Sequence, residues 1–104
     1  MSALFSELKV GEMTLSHRVA MAPLTRMRAV APAYAPTELM VEYYSQRASK
    51  GGFIITEATH ISQAARGAPD TPGIYTNEQA AGWHKVTDAI HAKGGFVFMQ
   101  LWHM

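Results

Sequence analysis

The sequence holds no cysteine, so neither a disulfide framework nor a thiolate-ligated metal is available to it. It has no surplus of either charge: the formal net charge is +1, and no basic stretch interleaves with aromatics. That pattern argues against nucleic acid as a partner. No apolar run approaches the roughly 18 residues a membrane span needs, and Ser6 and Glu7 come too early for a signal-peptide core. No Gly-x-Gly-x-x-Gly turn follows any strand-like run, which removes the main mark of an open dinucleotide-binding sheet. The expectation is a soluble, cytoplasmic protein with no membrane partner, and at most one domain over residues 1–104.

What is present is an echo. Lys50-Gly51-Gly52-Phe53 returns as Lys93-Gly94-Gly95-Phe96, an offset of 43 residues (50 to 93). Each copy ends a helical pattern and opens a short apolar run, Phe53–Thr56 and Phe96–Met99. Glycine can take the left-handed conformation that ends a helix, and lysine in the last turn suits the negative helix end. Helix, glycine stop and buried strand, repeated, is the rhythm of an α/β protein with a parallel sheet.

The remaining segments fit that frame. Gly11-Glu12 between Lys9-Val10 and Met13-Thr14-Leu15 predicts a small leading hairpin, and Arg18–Ala22 a first core strand closed by Pro23. Pro32 and Pro36 keep residues 27–36 out of a helix. Thr37 is the expected N-cap of a helix that presents Leu39, Met40, Tyr43, Tyr44 and Arg47 at helical spacing and ends at Gly51. Thr76-Asn77-Glu78-Gln79 has capping-box spacing and opens a second helix burying Trp83, Val86 or Thr87, and Ile90. The loops after the first two strands are long, and those after the helices short. In parallel α/β folds the carboxyl ends of strands carry function. The fold expected is the amino-terminal part of a TIM (β/α)8 barrel: about three parallel strands, two helices and a short leading hairpin.

Parallel strands would gather Pro23-Leu24-Thr25-Arg26, Glu57-Ala58-Thr59-His60 and Gln100-Leu101-Trp102-His103 at one end, with the offset placing Gln100 level with Glu57. Thr25 could donate to a ligand carbonyl or satisfy local backbone. Gln100 offers a donor and an acceptor in one plane, suited to an imide-like edge, or could serve as a buried amide between strands. Trp102 reads as a pocket wall or a core plug. Glu57, His60 and His103 are the types that bind zinc or iron, which would suit a metal-dependent barrel hydrolase, but they form no compact ligand motif. Arg18 and Arg26 could meet phosphate or pair with Glu57 or Glu42. His84 and His91 are expected in solvent. Chemistry alone reaches a ligand-binding barrel face.

Several stretches, in order and spacing, resemble the Old Yellow Enzyme family of FMN-dependent ene-reductases. They are Leu4-Phe5, Leu8–Gly11, Arg18–Arg26, Tyr43–Ala48, Ile55–Thr59, Thr71–Thr76 and Gln100–His103. The resemblance implies a TIM barrel with FMN at its carboxyl face, reduced by NAD(P)H and passing hydride from N5 to an activated alkene such as an enone or maleimide, or to a nitro compound. It implies that Pro23, Leu24 and Thr25 lie against the isoalloxazine, with the Thr25 hydroxyl bonded to the C4 carbonyl. By the same resemblance Ala58 is the small residue admitting the ring, Gln100 pairs with the pyrimidine edge, and Trp102 walls the substrate pocket. Ala68 stands where many relatives carry an aromatic beside the substrate.

The family's carbonyl-binding histidine pair, its tyrosine proton donor and its phosphate-binding groups lie downstream of the matched stretches. No catalytic residue is therefore assigned here, and His60 and His103 do not match that pair. Taken alone, three parallel strands leave two open edges and apolar surface, so the chain by itself is expected to fold poorly and to be inactive. The other reading is a non-catalytic, truncated piece that works only by complementing the missing remainder of the barrel.

Overall fold

The computed structural model describes residues 2–104. After a 3-10 turn at Ala3–Phe5, strands β1 (Leu8–Val10) and β2 (Met13–Leu15) pair antiparallel around Gly11, whose φ is +58°. The predicted hairpin is present. It is tied to the start of the main sheet, where the Ser16 N–H donates to the Gly51 carbonyl at 3.0 Å.

The main sheet is parallel, in the order β3 (Ala20–Met21), β4 (Phe53–His60), β5 (Phe96–Trp102). The first core strand is shorter than Arg18–Ala22, since only Ala20 and Met21 pair, with Phe53 and Ile54. The second is longer than its apolar run: pairing continues through Thr59 and His60.

Helices α1 (Glu38–Arg47) and α2 (Asn77–Ala92) cover one face of this sheet. Thr37 caps α1 as expected, accepting from the Met40 N–H. At α2 the full capping box forms between Thr76 and Gln79. The core joins Met40 and Tyr44 of α1, Ile54 of β4, and Trp83, Val86 and Ile90 of α2, with Met21, Val97 and Met99 packed against it. Thr87 is only half-buried, and His84 and His91 are exposed.

The two glycine stops behave differently. Gly94 follows α2 directly with φ +78°, the left-handed residue past the helix end. Helix α1 instead ends at Arg47, and residues 48–52 form a separate turn with Gly51 at φ +68°. Thus α1 does not reach Gly51. The two copies touch: the Gly51 N–H donates to the Gly94 carbonyl at 2.8 Å, and the Phe96 N–H to the Gly52 carbonyl at 2.8 Å. Among the described residues, no helix is long and apolar enough to cross a membrane.

Candidate functional site

The carboxyl end of β4 sets the geometry of the site. Phe53, Ile54 and Ile55 pair with Phe96, Val97 and Phe98 at the 43-residue offset, but Ala58, Thr59 and His60 pair with Gln100, Leu101 and Trp102. One extra residue is therefore accommodated at Thr56–Glu57. The expected alignment of Gln100 with Glu57 is wrong: Gln100 lies level with Ala58. Side chains alternate faces along a strand, so a one-residue bulge exchanges the faces beyond it. Paired residues of neighbouring parallel strands share a face. Ala58 and Gln100 thus sit together, with His60 and Trp102 beyond them, while Glu57 is turned to the helices.

There the Glu57 side chain is buried. Its Oε1 accepts from the Tyr44 hydroxyl at 3.0 Å, and its backbone N–H donates to the same hydroxyl oxygen at 2.9 Å. Oε2 has no partner. Burial pushes the Glu57 carboxyl above the usual carboxylate range, and the Tyr44 bond and nearby Arg26 hold it partly back. Burial, then the charge of Glu57, pushes the Tyr44 phenol upward. Arg26 does not close an ion pair; its guanidinium lies 5.7 Å from the Tyr43 ring centre, and Arg18 donates to the Glu7 carbonyl. The Thr56 hydroxyl completes the bulge by accepting from the Gln100 N–H at 3.2 Å.

Thr25 and Gln100 are exposed, and among the described residues neither the hydroxyl nor the carboxamide is engaged in a hydrogen bond. Leu24 is 48% exposed, Pro23 and Trp102 are half-buried, and Ala58 is buried. These six residues occupy an open face rather than a closed cavity. Cavities lie elsewhere among the described residues. One, of about 260 Å³, is bounded by Arg26, Tyr43, Gln46 and Glu57; another, of about 530 Å³, by Tyr34, Arg66, Tyr75 and Gln79.

His60 stands apart from Glu57 and His103. Wholly buried, it packs against Tyr34 and Tyr75 at ring-centre distances of 6.5 and 5.5 Å, with Nδ1 3.4 Å from the Thr71 hydroxyl and Nε2 unpartnered among the described residues. Burial holds its imidazole below the usual range, and the Arg66 charge adds to this. His103 is exposed beside the Met104 carbonyl. Among the described residues, no three His, Asp or Glu side chains converge as a metal site. The Tyr44–Glu57 link and the His60 slot carry no sequence signature, because each joins side chains from separate elements.

A parallel sheet helix-covered on one face, with long loops and polar groups at its strand ends, is a segment of a (β/α)8 barrel. Its family follows from comparison with known proteins. The chain belongs to the NADH:flavin oxidoreductase / NADH oxidase family, matched over residues 3–104, which includes the Old Yellow Enzymes. It is 52% identical over 104 residues to the flavin oxidoreductase hxnT of Emericella nidulans, covering 97% of this chain and 27% of that protein. It is 50% identical over 101 residues to 12-oxophytodienoate reductase 2 of Arabidopsis thaliana, covering 97% of this chain and 26% of that protein. Among solved structures it matches the old yellow enzyme homologue from Zymomonas mobilis with a TM-score of 0.92 and 50% identity, over 99% of this chain and 28% of that one. The chain spans about a quarter of the length of the curated relatives it matches.

Proposed function

We propose that these residues form the amino-terminal part of an FMN site in an NAD(P)H-dependent reductase of activated alkenes. The observation that carries this reading is the bulge-set pairing of Ala58 with Gln100, which puts a small residue beside an unengaged carboxamide on the open face. When bound, FMN would supply hydride chemistry between NAD(P)H and an enone, maleimide or nitro compound. The chain's own share would be binding and orientation. Gln100 can present a donor and an acceptor side by side in one plane, matching a pyrimidine edge. The Thr25 hydroxyl would donate to the C4 carbonyl, favouring negative charge there. Pro23 and Leu24 would give an apolar layer, Ala58 would leave room for the ring, and Trp102 would exclude water from the alkene. The donor set fits a flavin better than a metal.

The test is a titration of the purified chain with FMN, followed by flavin absorbance and fluorescence. A weak but saturable one-to-one change is expected, reduced roughly threefold to tenfold further by Thr25→Val through loss of one hydrogen bond. A flat wild-type titration would remove the reading for this chain. The second reading, a non-catalytic piece that acts only with the rest of a barrel, is favoured by Phe98 and Leu101 of β5 at 52% and 61% exposure. Saturable FMN binding only when the remaining barrel is supplied would favour it.

A further inference from the structure

We infer that Tyr44 is a positioning residue for the flavin face, acting through the Thr56–Glu57 bulge. This inference rests on the FMN reading above. One hydroxyl on α1 serves two groups of one strand residue: it accepts from the Glu57 N–H at 2.9 Å and donates to Glu57 Oε1 at 3.0 Å. The backbone N–H at a bulge has left the strand ladder and needs another acceptor, and the carboxyl it accompanies is buried. Tyr44 meets both needs at once. It is itself fully buried against Trp83, at a ring-centre distance of 6.1 Å, so its hydroxyl is held in place by α2 as well as α1.

The alternative to the bulge is a regular strand. The 43-residue offset would then continue, Glu57 would stand opposite Gln100 on the open face, and Ala58 would turn to the helices. A carboxylate would replace a methyl where the flavin ring is to lie, and it would repel the negative charge of a reduced flavin. The carboxylate favours that regular strand, since exposure would restore its water; the Tyr44 hydroxyl opposes it. Tyr44 thereby selects which of two neighbouring residues faces the cofactor, without touching the cofactor itself.

Tyr44→Phe removes the hydroxyl and keeps the ring. In the full chain without FMN, wild type should show a nuclear Overhauser contact between the Ala58 methyl and the Gln100 side chain. In Y44F that contact should give way to one between Glu57 and Gln100, and FMN affinity should fall by roughly tenfold, the scale of a lost hydrogen bond to a buried carboxyl. Y44F/E57L should restore the Ala58 contact and part of the affinity, because leucine is content on the buried side of the bulge while the backbone N–H at position 57 still lacks its acceptor; a general loss of packing would not be rescued this way. A Y44F chain that keeps the Ala58–Gln100 contact overturns the inference, as does a wild-type chain that lacks it. A flat wild-type FMN titration with the contacts switching as described defeats the flavin reading alone.

Discussion

His60 is the residue whose surroundings make the sharpest demand. Its imidazole has no partner at Nε2, two tyrosine rings beside it and the Arg66 charge nearby, so it is held neutral. The unfolded chain takes up a proton near the ordinary value of about 6.5, and the folded chain does so only at lower pH. Stability should therefore fall as pH drops through about 6.5, by at most about 1.4 kcal/mol per pH unit for one proton. Glu57 has the opposite sign: its raised carboxyl pKa gives stability that is present at acid pH and lost as pH rises above the unfolded value. The gap in urea midpoint between pH 7.5 and 5.5 should tilt further toward acid instability in wild type than in His60→Leu, where the opposing Glu57 contribution remains. An undiminished gap in that variant would assign the acid sensitivity elsewhere.

At the scale of elements, the helix ends were readable because capping is local chemistry. Thr37, Thr76 and Gln79 lie within a few residues of the groups they serve. The positive φ at Gly51 and Gly94 was likewise legible, since only glycine takes it cheaply. The bulge was not. Nothing in Ile55-Thr56-Glu57-Ala58 announces an extra residue; it exists relative to β5 and is secured by Tyr44, 13 residues upstream. The end of α1 was misjudged for a related reason, because glycine can also form a turn that stands clear of a helix.

Gln79 shows how a local motif acquires a distant task. Beyond its capping bond it donates through Nε2 to the Ala33 carbonyl at 2.8 Å, fastening the loop after β3 to α2. Thr76→Ala should cost about 1 kcal/mol by loss of the cap. Gln79→Ala should cost more, since the half-buried Ala33 carbonyl loses its donor and the Tyr75 and Thr76 N–H groups lose their acceptor. Equal shifts in the urea midpoints would mean that the Ala33 bond adds nothing to stability.

For the whole molecule, helices cover one face of the sheet but leave Leu101 bare at the end of β5, and the other face, which carries Phe98 and Gln100, lies open. The radius of gyration is 14.4 Å, above the about 13 Å typical of a compact 100-residue domain. Phe98 and Leu101 are the large apolar residues exposed on β5, beside strand edges that offer unpaired backbone groups. The chain alone should bind a hydrophobic dye and self-associate as its concentration rises. Leu101→Glu should lower light scattering, and scattering unchanged by that substitution would place the sticky surface elsewhere. The composition foretold this poorly: a 48% hydrophobic content is ordinary, and only the topology shows which apolar groups are left uncovered.

The bond between Gly51 and Gly94 reaches furthest. Because these two turns grip each other, β4 and β5 leave from a common start line, with Gly52 receiving the Phe96 N–H one step later. A residue inserted at 48–52 or 93–95 would have to break that grip. At the other end, residues 61–69 connect elements without setting where either strand begins. Length changes there should leave that start line intact where they spare Ala65, which is buried and accepts from the Met104 N–H, so this molecule can lengthen its working end while its base stays fixed.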